Sequence, residues 1–168
     1  MLAGHDRRIL PAYSVVPEFS MVERSGEQVT LAVLRGKVWV ADFFFSHCKD
    51  FCPLQTVQMA RLQREFMSEK DFRLVSFTID PDRDSLEALR TYANRYRADP
   101  VRWLFLRGDR KETHALVKEG FRLSIAISDE LEPSRGPQSS PINLRKTLLI
   151  AGKGTSKQVP GSRQGVLR

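Results

Sequence analysis

Cysteine is almost absent from this chain: Cys48 and Cys52 are the only two in 168 residues. One pair cannot form the multi-bridge framework of a small secreted fold, and it falls short of the four ligands that a structural zinc site takes in two pairs. Histidine is scarce as well, with His5, His47, His114 and none after them. No stretch approaches the roughly 18 apolar residues of a membrane span. Met1 to Arg8 leads into polar sequence rather than the apolar centre of a signal peptide. Read as written, the sequence looks cytoplasmic, although a disulfide between its cysteines would suit an oxidising compartment. Charge of one sign is not concentrated either. The net charge of +7 comes from Lys and Arg scattered along the chain, without an aromatic-interleaved stripe, so no nucleic-acid partner is expected.

What is present suits one globular domain, expected to be monomeric: 41% hydrophobic and 28% charged residues support a sizeable core. Residues 1–12 read as a mobile segment, 13–150 as the domain and 151–168 as a disordered basic tail. Val15 and Phe19 precede an entry hairpin turning at Arg24-Ser25-Gly26-Glu27. Val38 to Phe45 is a near-continuous apolar strand, interrupted by Asp42, of the kind covered on both faces. A helix follows from Pro53 to about Met67, with Met59, Leu62 and Phe66 on one face. Phe72 to Ile79 is a second strand. Asp84 with Glu87 resembles a capping box for a helix that buries Leu86, Leu89, Ala93 and Tyr96. Val101 to Leu106, a helix from Lys111 to Glu119, and a late strand at Thr147 to Ile150 complete the pattern. Alternating strands and helices predict an α/β fold with a mixed, mostly parallel sheet flanked by helices.

The two cysteines lie in Ser46-His47-Cys48-Lys49-Asp50-Phe51-Cys52-Pro53, at a turn from strand to helix. A helix N-terminus favours the thiolate, the form that binds metal and attacks disulfides. The spacing of three exceeds the two of a thioredoxin motif, yet one helical turn can bring both thiols within disulfide range or around one metal ion. Both uses stay open on this ground alone.

Lys37-Val38-Trp39-Val40-Ala41-Asp42-Phe43-Phe44-Phe45, the Cys-x3-Cys-Pro turn, Met59-Ala60-Arg61-Leu62-Gln63, the run from Val75 to Asp84, Trp103-Leu104-Phe105-Leu106 and Gly108-Asp109 follow one another in order. Together these segments resemble the Sco/SenC family. The resemblance implies a thioredoxin-like fold, usually tethered on the outer side of the bacterial inner membrane. It also implies copper binding in assembly of the cytochrome c oxidase copper centre, so that the oxidase copper-site subunit or another copper or thiol protein becomes the expected partner. Membrane association would then need an N-terminal anchor beyond this sequence. By the same resemblance Cys48 and Cys52 are the copper thiolates, and the family's third ligand, a histidine before the late strand, falls at about Asn143. An amide is a poor copper ligand, so a site preferring Cu(I) is expected. A reading-frame shift near the C-terminus would explain both Asn143 and the basic tail, and family-like residues should then reappear in the neighbouring frame after Ile150.

Other residues have plainer readings. His47 reads as a surface histidine, His114 as part of a solvated helix face, and His5 as part of the terminal segment. Lys49 and Asp50 face solvent, and Asp80 and Asp84 read as turn and cap residues, the first placed near the metal turn by the resemblance. Asp42 is either an ordinary hydrogen-bonded acid or an aid to thiol proton transfer. Two further functions compete with copper handling. One is a thiol-disulfide reductase or peroxidase-like enzyme in which one cysteine attacks and the other resolves. The other is a remnant that folds without taking metal.

Overall fold

The computed structural model describes residues 14–49, 51–123, 149–152 and 155–158. In chain order they form β1 (Ser14–Val15), β2 (Ser20–Glu23), β3 (Gln28–Thr30), α1 (Leu31–Leu34), β4 (Val38–Phe44) and α2 (Phe51–Glu65). There follow β5 (Phe72–Thr78), α3 (Leu86–Arg95), β6 (Trp103–Arg107), α4 (Arg110–Ala115) with a π-turn over Leu116–Gly120, β7 (Leu149–Gly152) and β8 (Thr155–Gln158). The strands make one sheet in the order β1-β8-β7-β4-β5-β6-β2-β3.

The centre of this sheet is β4, β5 and β6, paired in parallel. Every pair outside this centre is antiparallel, and two of them, β2–β3 and β7–β8, join strands consecutive in the chain. The parallel part is therefore narrower than strand–helix alternation suggests, and the sheet is mixed. Gly26 supplies the left-handed backbone (φ +100°) that closes the β2–β3 turn, where Glu23 N donates to Glu27 O at 2.8 Å.

Both faces of the central strands are covered, as their unbroken apolar character requires. Trp39, Ala41 and Phe43 of β4 and Phe77 of β5 pack with Phe19, Leu116, Val117 and Phe121 on one side. On the other, Val40 and Phe44 meet Cys52 and Met59 of α2 and Leu89, Tyr92 and Ala93 of α3, over Trp103 and Phe105. Phe77 stacks on Phe43 at 5.4 Å and meets Phe19 edge-on at 5.5 Å, adding directional contacts to area burial. Among the described residues no helix is long and apolar enough to cross a membrane.

Two expectations need correction. The composition of residues 151–168 predicts no order, yet β7 runs through Gly152 and β8 returns to pair with it, Ile150 opposite Lys157. Ladder hydrogen bonds beside β4 need no apolar side chains, which is the term a composition argument leaves out. Residues 153–154 and 159–168 lie outside the described residues, as do residues 1–12. The second correction concerns α3. Its cap is Ser85, whose hydroxyl accepts from Ala88 N at 3.1 Å, while Asp84 is drawn into the interior.

Asp42 breaks the apolar run at a position that is 1% exposed. It lies on the α2–α3 face, between Val40 and Phe44, with Ser76 beside it on β5. Among the described residues neither carboxylate oxygen meets a donor in full hydrogen-bond geometry; the neighbouring Ser76 hydroxyl accepts from Trp103 Nε1 at 2.8 Å. Burial pushes the Asp42 carboxyl up from the ordinary 3.8 to about 7, more than Ser76 pulls it down. A folded-state pKa above the unfolded one means that the native state holds the extra proton between about pH 4 and 7. Stability from this group is complete below that window and lost as pH rises through it. Asp42→Asn should remove the slope: urea unfolding from pH 4 to 8 should show the variant gaining on wild type by a few kcal/mol, with the gain levelling off above pH 7.

Candidate metal and thiol centre

Parallel pairing of β4 with β5 brings the C-terminal ends of both strands to one edge, where the chain turns into α2 from the first and towards α3 from the second. Crevices at such ends are where open α/β sheets place ligands. Residues Ser46 to Lys49 occupy the first turn and Asp80 to Asp84 the second. Cys52 lies in the first turn of α2 and is 1% exposed, against Val40, Phe44 and Met59. Cys48 is half-buried just before the helix, and its Sγ accepts the backbone N–H of Cys52 at 3.5 Å. The two thiols are thus brought together, free and adjacent.

Their environments differ. Burial pushes the Cys52 thiol up, and the neighbouring Cys48 and the Asp42 carboxyl push in the same direction. The expectation that a helix N-terminus would favour the thiolate is therefore overruled at Cys52, where desolvation outweighs the dipole. Behind it, Thr56 Oγ1 donates to Cys52 O and meets Tyr92 Oη, each at 2.7 Å. These bonds fix the first turn of α2 to α3.

His47 is exposed, as expected of a surface histidine, but it is not isolated. Its ring packs on Phe45 at 4.9 Å, with Nε2 3.3 Å from Asp80 Oδ2 and Nδ1 3.7 Å from Asp84 Oδ1. Arg83 Nη1 approaches the same Nε2 at 3.4 Å. Asp84 is wholly buried and accepts from Ser46 N at 3.1–3.2 Å, from Ser46 Oγ and from Thr78 Oγ1. Sequence reasoning missed this cluster because it treats each loop separately. The available signal was two acids four residues apart after a strand predicted to lie beside the cysteine strand.

The remaining candidates stand apart. His114 is half-buried on α4, the element covering the opposite face of the sheet, and Lys49 is exposed. His5, Asp50 and Asn143 lie outside the described residues. Among the described residues no group of three or more His, Cys, Asp or Glu side chains is arranged to hold a metal ion. The donor set within reach is the thiol pair, and two soft thiolates fit Cu(I).

Comparison with known proteins points the same way. The SCO1/SenC family model matches residues 8–154. The SCO1 protein homolog of Bacillus subtilis is 38% identical over 97 residues, 57% of this chain and 50% of that protein. The chain thus spans about half the length of this curated relative. The solved structure of BsSco, a member of the Sco family of cytochrome c oxidase assembly proteins in which a disulfide switch was identified, superposes with a TM-score of 0.70 at 27% identity. That match covers 89% of this chain and 84% of BsSco. Yeast Sco1, solved with copper bound, shares the fold at a TM-score of 0.69 and 21% identity, over 90% of this chain and 80% of its own. With a thiol pair at the end of β4, a thioredoxin-like sheet around it and a family match over most of its length, this chain belongs to the SCO1/SenC family.

Proposed function

We propose that this protein handles copper through Cys48 and Cys52, delivering it to the cytochrome c oxidase copper centre or keeping the thiols of that centre reduced. The observation that carries this reading is the adjacency of two free thiols at the sheet edge, Cys48 Sγ accepting the Cys52 N–H, in a chain of this family. Copper is the cargo, and the oxidase copper-site subunit is the partner. The domain works tethered outside the cytoplasm, where a disulfide can persist.

The chain's own groups divide the work. Half-buried Cys48 is the sulfur that an incoming thiol or metal donor meets first. Cys52 follows from inside and must give up a proton that burial holds on it. In the oxidised form the two sulfurs share an S–S bond, having passed two electrons and two protons to a disulfide-bearing partner. That exchange also supports a second reading, a thiol-disulfide reductase, favoured by the same unequal thiols: a half-buried attacking sulfur and a fully sheltered resolving one.

Titration of the fully reduced protein with Cu(I), in competition with a chelator of known affinity, tests the first reading. One-to-one binding that disappears in Cys48→Ser, Cys52→Ser is the expected result, and no binding by the wild type would overturn it. Because each ligand must lose its proton, apparent Cu(I) affinity should rise with pH, by about tenfold per unit for each proton displaced. Because the resemblance puts the family's histidine ligand at about Asn143, Cu(II) should bind poorly and give little thiolate-to-copper absorption. Asn143→His should bring that absorption up; an unchanged spectrum would mean that residue 143 does not reach the metal.

A further inference from the structure

Asp84 is more thoroughly engaged than a turn residue needs to be. It is 0% exposed, and its carboxylate receives the backbone N–H and hydroxyl of Ser46 and the hydroxyl of Thr78, with His47 Nδ1 at 3.7 Å. These donors come from two strand ends. Thr78 closes β5, while Ser46 and His47 are the two residues between Phe45 and Cys48. Asp84 itself is tied to its loop by its own N–H, which donates to Asp80 O at 3.0 Å. The cap of α3 is Ser85, so helix capping does not account for this acid.

Among the described residues the segment it holds has little backbone hydrogen bonding of its own, and its other side-chain contacts run through His47 to Phe45, Asp80 and Arg83. Between the end of β4 and the start of α2, the backbone bonds of the cysteine turn are Cys48 N to Phe45 O at 3.2 Å and Cys52 N to Cys48 Sγ at 3.5 Å. Without an external hold, a segment so lightly bonded would sample positions in which Cys48 leaves Cys52. We propose that Asp84 is the positioning residue of the thiol pair: by gripping Ser46 from beneath, it holds Cys48 against the first turn of α2, so that the two sulfurs close on each other without rearrangement of the turn. It touches neither sulfur, and it acts through Ser46. This role rests on the thiol-pair reading of the site but requires no copper.

The chemistry that reads it is exchange with glutathione, in which the dithiol and one glutathione disulfide become the protein disulfide and two glutathione thiols. The equilibrium constant is the effective concentration of one protein thiol at the other, and it falls when the pair is no longer held together. Asp84→Asn keeps the shape but replaces an acceptor oxygen with a donor that faces Ser46 or Thr78. Its effective concentration should fall about tenfold, the worth of one charge-assisted hydrogen bond. Ser46→Ala, which deletes one hydroxyl at a half-buried position, should move in the same direction by less. Thr78→Ser keeps the hydroxyl and should leave the equilibrium at the wild-type value.

Circular dichroism and thermal unfolding establish that each variant is folded under the exchange conditions. A folded Asp84→Asn protein with wild-type exchange, whatever its melting temperature, would show that the acid serves stability alone and would overturn the proposal. If Asp84→Asn does not fold, Ser46→Ala decides, and an unchanged equilibrium there overturns the proposal equally. A wild-type protein that takes up no Cu(I) would sink the copper reading while leaving this result standing.

Discussion

The parallel ladder between Val38–Phe44 and Phe72–Thr78 is the constraint on which the rest depends. It runs seven residues in unbroken register, so both strands end at the same height, and the loops that leave them must lie side by side. The register also sorts side chains: Trp39, Ala41 and Phe43 go to one core, Val40, Asp42 and Phe44 to the other. A slip by one residue would exchange the two faces and carry the acid into the aromatic cluster around Phe77. The thiol centre is thus a consequence of strand pairing before it is a property of the cysteine motif.

At that centre two influences compete, and burial prevails over the helix end. Cys52 sits where a helix dipole would ease ionisation, yet its contacts are Val40, Phe44 and Met59. The buried Asp42 carboxyl nearby makes further negative charge still less welcome. The result is an unequal pair. Cys48 is half-buried, and burial disfavours loss of the proton from Cys52. Soft metal binding and disulfide formation both require that proton to leave, so the one geometry is compatible with either proposed chemistry.

Much of this was legible in the sequence. The apolar run Val38–Phe44 announced a central strand, and the hairpin around Gly26 and the helix from Pro53 followed from local turn and helix-start signals. The family resemblance singles out the cysteines as the expected site, and the structure brings the two free thiols together. Asp84 was misread because capping patterns are local, whereas its donors, Ser46 and Thr78, lie 38 and 6 residues away and are supplied by the ladder. The contacts of exposed His47 with Asp80, Asp84 and Arg83 depend on two loops meeting, which no local pattern encodes. The hairpin at Leu149–Gln158 escaped because its pairing is carried by backbone, on residues whose composition alone argues for disorder.

The outer strands carry a consequence of their own. Among the described residues the sheet ends on Ser14–Val15 at one margin and Gln28–Thr30 at the other, pieces of two and three residues. Edges this short leave few unpaired amides and carbonyls for another chain to extend, which is how natural sheets resist edge-to-edge aggregation. Contacts made at the thiol end of the sheet can then form and dissolve without the sheet itself becoming a template for polymerisation.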